Sequence, residues 1–234
     1  MKVAVIPARG GSKRIPRKNI KTFCGKPIIA YSIQAAQKTE LFDRVIVSTD
    51  DKEIAAVARK YGAEVPFFRP KEIADDYTGT SAVVKHAIEW LETHVAPVEY
   101  VCCLYATAPF IQAEHILNGY QALLNSDKKF AFSVTSFPFP IQRAIRICEE
   151  GGVEPIFPDA TLKRSQDLEE AYHDAGQFYW GRTKGFLAGE PMFSIHSSPI
   201  ILPRHLVQDI DTPEDWLRAE LMYRAWGEHC EDSE

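Results

Sequence analysis

The sequence predicts a three-layer α/β fold around a mostly parallel sheet. Two observations carry this. Short apolar, β-branched runs alternate with helical stripes through the first half of the chain, and the runs end in polar turns of the kind that gather at the carboxyl edge of such a sheet. Residues 3–6 form the first run. Pro27 then suits a first helical position ahead of Ile28, Ile29, Ile33, Ala36 and Leu41, which share a stripe. Val45, Ile46 and Val47 make a second strand, and Ser48-Thr49-Asp50-Asp51 can cap a helix that bears Ile54, Val57 and Ala58 and stops at Gly62. A short strand is predicted over 63–68 and a loop over 69–79, since Pro70 disfavours helix at Arg69. Val84, Ala87, Ile88 and Leu91 predict a helix over 81–91, followed by a buried strand over 100–105 and a helix over 113–124. The second half departs from the alternation. Runs at 130–137, 144–148 and 153–157 have no long helix between them, which predicts a small β-rich insertion at about 130–157 within one domain, residues 1–234. Strands over 177–180 and 193–197 and a helix over 213–226 close the chain.

Composition bounds the function. A chain of 234 residues with 45% hydrophobic content has room for a sizeable core. A net charge of −5 and a pI of about 5.8 argue against a nucleic-acid partner for the surface as a whole, leaving only local basic patches. The cysteines Cys24, Cys102, Cys103, Cys148 and Cys230 are odd in number and lack paired zinc-ligand spacing, so a reduced, cytoplasmic setting is expected. No leader-like segment and no apolar run near the ~20 residues of a membrane span is present, so a soluble protein without a membrane partner is expected.

The turn after the first run carries the densest chemistry. Residues 6–19 hold the adjacent Gly10 and Gly11, the hydroxyl of Ser12, and the cations Arg9, Lys13, Arg14, Arg17 and Lys18. Paired glycines let backbone N–H groups point into one concavity without Cβ interference, and the cations add charge, so several phosphates could be held together. The loop is neither a Walker loop nor Gly-x-Gly-x-x-Gly. A solvated basic connection is the plain alternative, though the glycine pair and hydroxyl exceed what a surface requires. Near the other end, Asp209 and Asp211 lie at i, i+2, which in an extended segment sets both carboxylates on one side. Such a pair binds hard cations, Mg²⁺ in particular where substrate phosphates complete the shell. The same segment also reads as a helix N-cap at Asp211-Thr212 with Asp209 in water.

Four motifs in order resemble those of the cytidylyltransferases that activate nonulosonic acids. They are Pro7-Ala8-Arg9-Gly10-Gly11-Ser12-Lys13 with Lys18-Asn19, Val47-Ser48-Thr49-Asp50-Asp51, Arg69-Pro70 followed by Ile73-Ala74-Asp75-Asp76, and Asp209-Ile210-Asp211-Thr212, and they span nearly the whole chain. Residues 12–19, 104–110 and 175–180 are most similar to the pseudaminic acid branch. The resemblance implies a Rossmann-like nucleotidyltransferase fold and a Mg²⁺-assisted reaction of CTP with a nine-carbon 2-keto sugar acid. The anomeric hydroxyl attacks the α-phosphorus, giving a CMP-sugar and pyrophosphate, so positioning and charge neutralisation are the protein's task. By the same resemblance, Arg9, Gly10, Gly11, Ser12 and Lys13 would hold the triphosphate, Lys18, Asn19, Arg69, Asp76 and Tyr105 would complete the CTP site, and Asp209 and Asp211 would hold Mg²⁺. Lys13, Asp211 and Arg164 would be catalytic.

Departures from the sialic acid members bear on the sugar. Those members have Gln-Pro-Thr-Ser-Pro where this chain has Tyr105-Ala106-Thr107-Ala108-Pro109, so Tyr105 replaces the glutamine expected to read cytosine. It can stack, donate a hydrogen bond or serve as a core aromatic. Their sugar-side lysine falls at Gln142, with Arg143 next, and Arg164 matches an arginine that pairs with carboxylate or phosphate. Either arginine can equally be an exposed loop residue. Gln177 and Tyr179, on one strand face, complete the sugar-side assignment. A homodimer is implied, with the insertion pairing across two copies. Sialic, legionaminic or 3-deoxy-octulosonic acid is the alternative substrate within the class. A nucleotide-binding module without chemistry, which would keep the loop and dispense with the metal pair, is the alternative outside it.

Overall fold

The computed structural model describes residues 1–75 and 78–231, with side chains to residue 227. In chain order the strands are β1 (Lys2–Pro7), β2 (Thr22–Phe23), β3 (Lys26–Pro27), β4 (Arg44–Ser48), β5 (Tyr100–Leu104), β6 (Phe130–Ser136), β7 (Ile145–Ile147), β8 (Val153–Pro155), β9 (Tyr172–Arg182) and β10 (Ser197–Ile201). The helices are α1 (Ile29–Lys38), α2 (Lys52–Lys60), α3 (Thr80–His94), α4 (Ala113–Leu124), α5 (Thr183–Leu187) and α6 (Pro213–Glu231). The central sheet has the order β10-β6-β9-β5-β1-β4, and only the pairs that include β9 are antiparallel. The mostly parallel three-layer architecture is therefore as the alternation predicts.

Strand β1 explains why its sequence is a continuous apolar run: it is flanked by β4 and β5 and covered on both faces. Ala4 and Ile6 face α1, α2 and α4 through Ile33, Ile54 and Ile116. Val3 and Val5 face the opposite layer, where Val84, Ile88 and Leu91 of α3 meet Phe186 of α5. A third cluster seats α6 against the segment after the first loop, with the Phe23 and Trp216 rings 5.5 Å apart. Among the described residues no helix is long and apolar enough to cross a membrane.

Three expectations change. The run at 63–68 is not a strand but makes isolated bridges, Ile46 to Glu64 and Thr49 to Phe68, because Pro66 between them cannot donate to a ladder. The strand predicted at 193–197 lies at Ser197–Ile201, on the sheet edge, where Pro199 is tolerated. The insertion predicted at about 130–157 is two different things. Phe130–Ser136 is an interior strand of the main sheet, whereas Ile145–Ile147 and Val153–Pro155 form a separate antiparallel hairpin. The run at 130–134 is buried on both faces and the hairpin is exposed, a difference that apolar runs alone do not encode.

Helix α4 is admitted to the sheet by one glycine. A Cβ on Gly119 would sit 2.7 Å from Trp180 Cδ1 and 2.9 Å from Phe178 Cε2, both in fully buried rings. Gly119→Val should therefore destabilise the fold by about 1–3 kcal/mol through overpacking, read as a lowered urea midpoint with an unchanged slope.

Candidate functional site

The carboxyl ends of β1, β4 and β5 open onto a cleft of about 540 Å³, within the range of about 300–1,000 Å³ typical of small-molecule sites. Arg9, Ser12, Lys13, Lys18, Asn19, Arg69, Tyr105 and Asp211 line it, so the sequence brings together residues far apart in the chain. Gly10 and Gly11 complete the loop between Arg9 and Ser12. Asp76 lies outside the described residues.

The loop is tied down on three sides. The Gly10 N–H donates to Asp50 Oδ1 at 2.9 Å, and the Asn19 amide donates to the Arg9 carbonyl at 2.9 Å. Arg17, held at φ 56° in the left-handed region, grips Asp51 with two donors at 2.6 and 3.0 Å and also pairs with Glu53. Asp51 is at the same time the N-cap of α2, accepting from the N–H groups of Glu53 and Ile54 at 2.9 Å each. Asp51 fits so closely under the loop that a Cβ on Gly10 would come within 2.9 Å of its Oδ2. The hydrogen bond from Arg17, helped by the helix N–H groups, holds the Asp51 carboxyl down at about 2.

The floor of the cleft is Arg69, 6% exposed, whose guanidinium donates to the Ser48 hydroxyl and carbonyl. Burial lowers its pKa to about 10, with Asp50 opposing and Arg9 adding to the shift, so it remains a cation at neutral pH. Arg9 donates to the Asp75 carbonyl at 2.6 Å. Asp211 sits between Lys18 and Arg14, 3.3 and 2.9 Å away. The N-cap alternative is realised at Thr212: its Oγ1 accepts from the Asp215 N–H at 3.2 Å while Asp215 Oδ2 accepts from the Thr212 N–H at 2.7 Å, a reciprocal capping box, and Asp209 is exposed. Asp209 and Asp211 are thus left over from capping. Desolvation, then the charge of Asp211, raises the Asp209 carboxyl. Asp211 lines the cleft, whereas Asp209 is exposed and is not among the lining residues; carboxylate oxygens of this kind are the donor type that suits a hard cation such as Mg²⁺. Among the described residues no larger group of His, Cys, Asp or Glu could hold a metal.

A second, smaller cavity of about 160 Å³ shares Thr80 and Tyr105 with the first. Its walls include Val84, Phe186, Met192 and Phe193, with Asp174 and Tyr179 supplying polarity. The Tyr179 hydroxyl donates to Asp174 Oδ2 at 2.6 Å, and its ring lies 5.1 Å from that of Tyr105. Burial raises both phenols, so both stay protonated. Tyr105 is therefore a shared wall as well as a core aromatic.

The other sugar-side candidates are not in these cavities. The Gln177 side chain is 3% exposed and donates to the Leu206 carbonyl, its Oε1 having no partner among the described residues. Gln142 donates to the Glu169 carbonyl at 2.9 Å, Arg143 to the Lys163 carbonyl at 2.7 Å, and Arg164 pairs with Asp167 at 2.7 and 3.1 Å. These three belong to an arm, residues 137–171, that leaves the sheet after β6 and returns at β9. Residues that the sequence did not single out for the site are Thr80, Asp174 and the Arg17–Asp51 clamp. Thr80 carried a weak signal, following Gly79 at a helix start, whereas Asp174 had none, because β9 begins at Tyr172, ahead of the strand predicted over 177–180.

Comparison with known proteins gives the family and the fold. The cytidylyltransferase family model matches residues 3–212. A pseudaminic acid cytidylyltransferase of Campylobacter jejuni subsp. jejuni serotype O:2 is 48% identical over 222 residues, covering 95% of this chain and 96% of the relative. A CMP-N,N'-diacetyllegionaminic acid synthase of Legionella pneumophila is 33% identical, covering 93% and 94%. Among solved structures, a CMP:2-keto-3-deoxy-manno-octonic acid synthetase complexed with CTP shares the fold with a TM-score of 0.68 at 16% identity, covering 96% of this chain and 98% of that one.

The Asp51 clamp has a pH signature. A carboxyl held near 2 in the folded state, against an ordinary 3.8, stabilises the fold fully above about pH 4 and loses that contribution as the pH falls through about 2. Asp51→Asn keeps a capping oxygen but loses the charge. It should be less stable than the parent at neutral pH, and urea unfolding across pH 2–5 should show the difference closing towards the acid end.

Proposed function

The chain belongs to the cytidylyltransferase family, and from that premise we propose that it transfers CMP from CTP to the anomeric hydroxyl of pseudaminic acid, releasing pyrophosphate. The observation that carries this reading is the pair of cavities meeting at Thr80 and Tyr105, one cationic and the other largely apolar. A triphosphate suits the first. A sugar substituent with apolar bulk, such as an N-acyl group, suits the second, and the identity to a pseudaminic acid enzyme favours that acid.

In this reading Arg9, Ser12 and Lys13 bind the β- and γ-phosphates, with Gly10 and Gly11 bringing backbone N–H groups close. Lys13 neutralises charge on the departing pyrophosphate. Lys18 and Asn19 border the nucleotide, Arg69 underlies it, and Tyr105 offers an aromatic face at the junction. As the anomeric oxygen forms its bond to the α-phosphorus, the bond to the bridging oxygen of pyrophosphate breaks, so charge moves towards the cationic loop that is already in place. Asp209 and Asp211 would hold Mg²⁺, which when bound supplies Lewis-acid screening of the phosphate oxygens. Gln177 braces the strand that carries Tyr179.

The arm gives the sugar-side assignments of Gln142, Arg143 and Arg164 a quaternary reading. Its surface exposes Phe139 at 79%, Ile147 at 81% and Leu162 at 97%, an apolar patch that a second copy of this chain would cover. The free thiols of Cys24, Cys102, Cys103 and Cys148 and the use of CTP in this reading suit the cytoplasm.

Pyrophosphate release measured with CTP, Mg²⁺ and a panel of 2-keto sugar acids should be fastest with pseudaminic acid, and a panel with no turnover at all would overturn the reading. Asp211→Asn should lower turnover by at least about 100-fold while calorimetry still detects CTP binding. Light scattering should give twice the 26.4 kDa chain mass, and a monomer would reject the dimer.

A further inference from the structure

Arg14 lines the cleft yet has no part in the arrangement above. Asp211 holds two cations, and they occupy different oxygens: Lys18 Nζ is 3.3 Å from Oδ1 and the Arg14 guanidinium is 2.9 Å from Oδ2. The two are not equivalent. The Lys18 side chain is 19% exposed, and its ammonium also donates to the Ile210 carbonyl at 2.6 Å, so it has a second anchor and little room to leave. The Arg14 side chain is 65% exposed, and among the described residues Asp211 is its only ion-pair partner. Exposed pairs of this kind bias an equilibrium by no more than a factor of about five. Arg14 is therefore held weakly, on the one oxygen of Asp211 that Lys18 leaves open.

We propose that Asp211 Oδ2 is a seat used in turn by two cations. The Arg14 guanidinium occupies it while the cleft is without nucleotide, and a divalent cation arriving with the triphosphate displaces Arg14 onto phosphate oxygens. The inference rests on the reading of Asp211 as a metal ligand. Before nucleotide binds, Arg14 sets a positive charge against the Asp211 carboxylate. Once the triphosphate is present, the fork of the guanidinium has a better partner, because phosphate offers paired oxygens and more negative charge than one carboxylate. The exchange replaces one positive charge at Oδ2 by two, offset by the arriving triphosphate. It also makes the metal and the nucleotide arrive together: alone, the metal must evict Arg14 into water, whereas with the triphosphate the displaced cation finds a new place.

The test uses Mn²⁺ as the probe, with the free aqua ion followed by electron paramagnetic resonance. Without nucleotide, Arg14→Ala should bind Mn²⁺ more tightly than the parent by up to about fivefold, and with Mn²⁺ present it should bind CTP more weakly. Equal Mn²⁺ affinity in Arg14→Ala and the parent, with Asp211→Asn weakened, would overturn the shared seat while leaving the metal assignment standing. Unchanged CTP affinity in Arg14→Ala would overturn the transfer to phosphate. Equal Mn²⁺ binding by Asp211→Asn and the parent would overturn the metal assignment itself.

Discussion

The Arg17–Asp51 pair ties together three parts that the chain keeps separate: the far side of the glycine-containing loop, the end of β4 and the first turn of α2. Asp51 Oδ1 already receives two helix N–H groups, so the carboxylate that Arg17 grips cannot swing to follow it. The arginine must come to the helix. That constraint carries a left-handed residue, which costs of order 1–3 kcal/mol at a non-glycine position, and folds the loop back until Gly10 rests on Asp51. A free loop of this length would lose about 1–2 kcal/mol per residue on ordering around a ligand. Here much of that ordering is complete before any ligand binds.

The cleft inverts the electrostatics of the molecule. A protein of net charge −5 concentrates Arg9, Lys13, Arg14, Lys18 and Arg69 around one cavity, and one of these, Arg69, is buried at a cost visible in its lowered pKa. The acidic remainder of the surface discourages polyanions of large extent, while the local field attracts a small one. Tyr105 and Thr80 then mark where the polar cavity gives way to the apolar one, so a ligand spanning both would have its charged end and its apolar end oriented by the walls alone.

How far the sequence could be read depended on whether a signal was local. The apolar run of β1, the Asp51 cap of α2 and the bounds of α4 at Ala113–Leu124 each rest on neighbouring residues, and each is where the pattern predicts. The residues of the glycine-containing loop and Asp211 stand out as motifs, and parallel topology then explains why they line one cleft. The tertiary roles were not legible. Nothing near residue 130 says that this run is interior to the sheet while the next two stand outside it. Gln177 stands as an amide ahead of an aromatic run, a pattern that asks for a buried partner without saying that the partner is the Leu206 carbonyl. Arg14 and Arg17 look alike in sequence, two arginines three residues apart, and only the fold sends one to Asp211 and the other to Asp51.

The arm between β6 and β9 is closed at its base. Ser136 and Tyr172 are register partners, and the Phe137 N–H donates to the Ala171 carbonyl at 3.1 Å, so residues 137–171 leave and rejoin the sheet at the same point. Such a segment behaves as a graft on a finished stem. Doubling the length of a loop whose ends are already fixed costs only about 0.6 kcal/mol in closure entropy, which is small beside the stability of the sheet beneath. Its length and composition can change what the arm touches while the cleft at the ends of β1, β4 and β5 keeps its geometry.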